Sequence, residues 1–264
     1  MEIKNETVVF LGDFGIMSPV YFKERAMRLD KVIEENLKTT RKEMKRLFLM
    51  KKVKVDGLVE MDQHRNVDSR LHRIEVNGKV LQAKHVYYLL NKPAGVVTAK
   101  KDPKFRTVTE LISPKERPAE LYPVGRLDRD TTGLLLLTDN GQLGYELLRP
   151  DSKVNKTYRA TINALVTIDD VAAFAEGIEF HGGIRCRPAK LIILTANSSY
   201  SEVLLTIKEG KFHQVKKMFL ARGKKVIKLT RLTMGPLRLP TDLKSGDYRP
   251  LTETELNQLK IYFR

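Results

Sequence analysis

The chain has 264 residues, room for one catalytic-sized domain and a smaller appendage, and its 42% apolar content is ordinary for a globular protein. Forty-eight Lys and Arg against 32 Asp and Glu leave a net charge of +16, which favours an anionic partner, nucleic acid ahead of acidic lipid. A single cysteine, Cys186, excludes an internal disulfide and a multi-cysteine metal site, and the five histidines never fall at metal-ligand spacing.

In chain order, residues 1–26 fit neither the module that follows nor a targeting pattern. Their apolar stretch "TVVFLGDFGIMSPVYF" is broken by Asp13 and Pro19 and lacks the basic leader of a signal peptide. Two readings stand for them: that Met27 is the natural start, or that 1–26 is a poorly ordered extension. No stretch approaches the ~20 apolar residues of a membrane span, so no membrane partner and a cytoplasmic location are expected.

From Met27, Leu29, Val32, Ile33 and Leu37 repeat at helical spacing. Thr40 and Glu43 then form a capping box ahead of a second apolar stripe, Met44, Leu47 and Phe48. "VKVDGLV" and "RIEVNGKVL" alternate around Asp-Gly and Asn-Gly, the turn residues of tight hairpins. Two short helices and four short strands are expected in a small α+β unit. Eight basic residues fall between Lys38 and Lys54 against Glu43 alone. Arg41, Lys42, Lys45 and Arg46, at i, i+1, i+4 and i+5, share a helical face that can track phosphates. The Arg-Leu-Asp-Lys start, basic second helix and Val-Asn-Gly-Lys strands resemble the S4-like RNA-binding domain of ribosomal proteins, which implies an RNA-binding unit over 27–82.

Beyond a polar joint, "VYYLLNKPAGVVTAKKD" reads as a strand, a Pro-Ala-Gly turn and a second strand. "TIDDVAAFAEGI" and "KFHQVKKMFLARG" read as helices, and no linker interrupts the rest, so 86–264 is taken as one α+β domain. Ten basic residues lie between Ile207 and Arg238 against Glu209 alone, a second surface for a phosphate backbone.

"VGRLDRDTTGLLLLTDNG" carries the chemistry. An Asp-x-Asp-x-Thr loop suits a magnesium phosphatase of the haloacid dehalogenase type, but no long buried strand precedes Asp128 and no acidic pair follows for the metal. A structural reading makes Asp130 or Thr131 a turn cap and the leucines a core strand closed by an Asn-Gly hairpin. It leaves Asp128, beside Arg126 and a leucine run, without a reason.

The whole stretch resembles the signature of the pseudouridine synthases of the RsuA type. "NKPAG", "KTY" at Lys156 to Tyr158, "EGKFHQVKKMF", "LTRLTMGPLRL" and "SGDYRPLTETEL" follow in that family's order. The resemblance implies a mixed, mainly antiparallel sheet with flanking helices. It also implies isomerisation of uridine to pseudouridine in ribosomal RNA, with small-subunit 16S rRNA favoured over the large subunit. Neither cofactor nor metal is required. Asp128 is then the catalytic carboxylate, needed in its ionised form, with Lys216 as its cationic partner and Tyr158 stacking on the target base. Leu229 walls the base pocket. Arg126, Lys211, His213, Gln214, Lys217 and Arg231 contact RNA together with the first basic helix. The partner is the rRNA or a subunit assembly intermediate, and a monomer is the default. A non-catalytic RNA-binding assembly factor would explain the charge equally well, but not the grouping of Asp128, Tyr158 and Lys216.

Overall fold

A computed structural model of the chain describes residues 28–68, 71–81, 85–180 and 183–262. The extension read over 1–26 and most of the polar joint lie outside the described residues.

Two helices, α1 (Leu29–Leu37) and α2 (Arg41–Leu49), come first. Leu29, Val32 and Ile33 on α1 and Met44 and Phe48 on α2 are the buried positions, as their spacing predicts. Thr40 and Glu43 form the reciprocal cap that starts α2. Strands β1 (Val53–Val55), β2 (Leu58–Val59), β3 (Ile74–Val76) and β4 (Lys79–Leu81) form an antiparallel sheet in the order β2-β1-β3-β4. Both hairpins turn on residues at positive φ, Asp56-Gly57 and Asn77-Gly78, which Asp, Asn and Gly tolerate best.

The rest of the chain builds one nine-stranded sheet. Its strands are β5 (Tyr87–Lys92), β6 (Tyr122–Pro123), β7 (Thr132–Thr138), β8 (Lys156–Ile162), β9 (Lys190–Ala196), β10 (Ser201–Ile207), β11 (Val226–Met234), β12 (Leu237–Arg238) and β13 (Tyr248–Pro250). The main order is β13-β5-β7-β11-β8-β10-β9, with β6 beside β7 and β12 beside β11. Among the named strands β7 and β11 pair in parallel, through Thr132 with Thr230 and Gly133 with Arg231; the other pairings are antiparallel. That seam joins two antiparallel halves.

One core lies between the sheet and helices α4 (Ile168–Glu176) and α5 (Gln214–Ala221); Leu135, Leu137, Phe174, Met218 and Phe219 belong to it. A second, on the opposite face, joins Leu134 and Leu136 to α3 (Gly141–Leu148) and α6 (Glu253–Leu259). Strand β7 is therefore buried on both sides, so its apolar run is continuous, whereas β10, covered on one side, alternates buried and half-buried residues. Asp170 caps α4 and takes ion pairs from Arg222 (3.0 Å) and Lys224 (2.9 Å) just beyond α5, tying the two helices together.

The small sheet is seated on the large one. Leu71 enters the second core, and buried Asp68 accepts hydrogen bonds from the Tyr87 hydroxyl and the Asn140 amide. Lys260 reaches Asp56 at 3.0 Å.

Two sequence expectations change. The segment after Pro-Ala-Gly is not a full strand but a single bridge, Val97 with Thr107. Asn140-Gly141 is not a hairpin turn: the Asn140 side chain accepts from Leu143 N at 3.1 Å and caps α3, while Asp139 accepts from Val86 N. An Asn before Gly serves either end of a strand, and here eight helical residues follow it.

Candidate active site

Asp128 lies in the loop that feeds β7, at the mouth of the parallel seam. Its carboxylate is 26% exposed and meets Lys216 Nζ at 3.0 Å through one oxygen and His213 Nε2 at 3.4 Å through the other. Both partners come from the start of α5. His213 adopts a left-handed conformation (φ 53°) at that helix start, and Lys216 stands on its first turn.

The loop is held from beneath. Lys92, fully buried at the end of β5, donates to the carbonyls of Pro93 (3.0 Å), Arg129 (3.2 Å) and Thr131 (2.9 Å). Gly95 N donates to Arg129 O, and Thr98 Oγ1 donates to Leu127 O while accepting from Leu127 N. The "NKPAG" segment is thus the floor of the Asp128 loop. Burial pushes the Lys92 pKa down to about 8, against the opposing pull of Asp130 and Asp128.

Lys216 serves two carboxylates. It also bonds both oxygens of Asp130, at 2.7 and 2.9 Å. Burial works against its charge, but the hydrogen bonds to Asp130 and Asp128 outweigh this and raise its pKa above the ordinary lysine value. The same bond holds the Asp130 carboxyl below the usual range. Asp130 is therefore not the turn cap its sequence suggests; with its side chain 73% exposed, it shares the cation of Asp128.

Tyr158 and Leu229 lie in one core cluster, 7% and 6% exposed. The register sets Tyr158 opposite Arg231, and Arg231 opposite Gly133, in a row across β8, β11 and β7 that leads to the Asp128 loop. Lys156, two residues from Tyr158, is pushed down to about 8 by burial and by the Arg231 charge.

The expected RNA contacts divide. Arg41, Lys42, Lys45, Arg46 and Arg126 are exposed, and Arg41 and Lys45 line a cleft of about 970 Å3 between α1, α2 and the loop around His64. Lys217 is half-buried, His213 is at the Asp128 carboxylate, and Lys211 is engaged with Glu209. Two assignments are corrected. Arg231 is 1% exposed and donates through Nε to Leu134 O at 2.8 Å, so it is a strand-to-strand tie rather than a phosphate contact. Gln214, 4% exposed, accepts from Lys211 N and donates to Glu209, which closes the turn before α5. The second basic run overstates its free charge: Arg222 and Lys224 go to Asp170, Lys211 to Glu209 and Lys216 to the two aspartates.

Three participants lie beyond sequence reasoning. Lys92 and Thr98 act on carbonyl and amide groups far along the chain, which no local pattern reveals. His213 sits in a basic run, and its neighbours there suggest an RNA contact rather than a partner for Asp128.

The fold agrees with a family model of RNA pseudouridylate synthases that matches residues 86–221; the chain belongs to that family and is an isomerase. Among proteins, it is 40% identical over 234 residues to the uncharacterized RNA pseudouridine synthase YtzG of Bacillus subtilis, covering 88% of this chain and 98% of that protein. It is 38% identical over 238 residues to ribosomal small subunit pseudouridine synthase A of Escherichia coli K12, covering 87% and 98%. A crystal structure of a pseudouridylate synthase shares 37% identity with a TM-score of 0.62, covering 88% of this chain and 99% of that one.

Proposed function

We propose that the chain isomerises a specific uridine of small-subunit 16S rRNA, with Asp128 as the reacting carboxylate. The observation that carries this is the Asp128–Lys216 pair on a loop clamped by Lys92, in a chain whose relatives include small-subunit synthases. The isomerisation breaks the N1–C1′ bond, turns the base and joins C5 to C1′; the C5 hydrogen departs as a proton and N1 takes one up. The base stays in the site and nothing is oxidised, so an ionised carboxylate with a nearby cation suffices. Tyr158 is assigned to the target base and Leu229 to the pocket wall. Residues 27–82 grip RNA beside the target through Arg41, Lys42, Lys45 and Arg46, and Arg126 meets the backbone at the loop. The enzyme works as a monomer in the cytoplasm, on rRNA or a subunit assembly intermediate; no helix among the described residues is long and apolar enough to cross a membrane.

The test is tritium release from C5-labelled 16S and 23S transcripts, followed by mapping of the modified position. Asp128→Asn is expected to lower the rate on the order of a thousandfold or more with RNA affinity retained. Asp130→Asn, which leaves Asp128 as the one carboxylate facing Lys216, is expected to change it by less than about tenfold. Activity confined to 23S RNA, or undiminished in Asp128→Asn, defeats the proposal.

A further inference from the structure

Six phenylalanines fall among the described residues, and four of them, Phe48, Phe174, Phe180 and Phe219, are buried. The two exposed ones, Phe105 at 44% and Phe212 at 60%, both stand beside the Asp128 loop. Phe212 stacks on the His213 imidazole, with ring centroids 3.8 Å apart and planes inclined by 20°, and His213 Nε2 is 3.4 Å from Asp128. Lys217 Nζ lies 5.0 Å from the Phe212 ring centre. The guanidinium of Arg129, the residue after Asp128, lies 4.7 Å from the centre of the Phe105 ring. Lys92 and Gly95 bond the Arg129 carbonyl, so the backbone that carries this guanidinium is held with the loop.

The Asp128 loop is thus joined to two exposed rings, Phe212 through His213 and Phe105 through Arg129, each with a cation at hand. Apolar rings left in water at a site that handles RNA have a ready use, because every base has a face to stack and every nucleotide a phosphate to meet a cation. A uridine drawn out of its strand leaves neighbours that have lost a stacking partner. We infer that Phe105 and Phe212 are stacking seats for the unpaired nucleobases flanking the target uridine, with Arg129 and Lys217 meeting their phosphates. The inference rests on the function proposed above and adds a subsite to it. Stacking on a ring tolerates any base, so these seats supply grip for base extrusion and leave the choice of sequence to other contacts.

The experiment uses the full chain and an RNA fragment spanning the uridine that the wild type is first shown to modify. Single-turnover rates and half-saturating concentrations are measured for the wild type, Phe105→Ala, Phe212→Ala and the matching Tyr variants. Each is tested on RNA whose neighbour on one side or the other lacks its base. Each Ala variant is expected to weaken binding or slow the reaction by roughly tenfold, and Tyr to restore it. Removing the base that a ring holds is expected to cost the wild type a similar factor and the corresponding Ala variant nothing more. Tyr variants as poor as Ala, or protein and base deletions whose costs multiply independently, overturn the inference while the proposed function stands. A wild type that forms no pseudouridine in rRNA overturns the proposed function and this subsite with it.

Discussion

An ammonium has three N–H bonds, and Lys92 directs its own at three backbone carbonyls around the Asp128 loop. Its pKa, lowered by burial to about 8, makes that clamp sensitive to pH. As pH rises through about 8, one of the three donors is lost, and the single-turnover rate is expected to fall by about tenfold. Stability has the opposite sign. An unfolded lysine keeps its proton to 10.5, so between about 8 and 10.5 the unfolded chain binds more protons and this residue's contribution to stability rises with pH. Lys92→Met should be slow throughout, without the rate inflection near 8 and without its share of the rise in stability. Persistence of the same inflection in that variant would assign the titration to another group. None of this is legible from "NKPAG" itself, where Lys92 is one basic residue in a turn; its partners Arg129 and Thr131 lie far along the chain.

At the scale of elements, the leucine run illustrates what a sequence does and does not reveal. Four consecutive leucines announce a buried segment, and Thr132 to Thr138 is a strand covered on both faces. Helices α1, α2, α4 and α5 are equally legible, because each carries a 3.6-residue apolar stripe. A capping threonine marks the start of α2 and of α4, and Gly177 marks where α4 stops. Less legible is why Gly133 precedes the leucines. Its φ is +99°, and a Cβ there would lie 2.3 Å from Arg231 O and 2.8 Å from Arg231 N. Parallel pairing at the seam brings the two backbones that close. Gly133→Ala combines strained backbone with a backbone clash, and is expected to destabilise the fold by more than about 3 kcal/mol, read from the denaturant midpoint. A variant within about 0.5 kcal/mol of wild type would show that the seam can open without loss. The "TDNG" reversal defeats local reading for a related reason. Its turn residues are plain, but whether a strand or a helix follows depends on Tyr87 and Asp68, to which Asn140 is bonded.

For the whole molecule, charge is legible in amount but not in deployment. The +16 balance and two basic runs are plain in the sequence, whereas much of the second run is consumed by Asp170, Glu209 and the two loop aspartates. RNA affinity should therefore depend on salt chiefly through the first helix pair. Replacing Arg41 and Lys45 with Gln is expected to reduce the slope of log K against log salt by about 0.7 for each phosphate left without a cation. The rate at saturating RNA should be unaltered. An unchanged slope would place the electrostatic grip elsewhere.

The parallel seam has a further consequence for how such a chain comes into being. Asp128 belongs to one half of the large sheet, while His213 and Lys216 stand between two strands of the other. Strand β13, near the chain's end, adds to β5, the first strand of that same sheet, and α6 closes the core behind it. Strands β9 and β10 can pair as neighbours during synthesis, whereas the half that holds β5 and β7 is finished by β13. The paired carboxylate exists after the halves meet, and the sheet is complete once the last strand is in place. A nascent or truncated chain can thus carry the exposed basic residues of α2 while the Asp128–Lys216 pair is still unassembled.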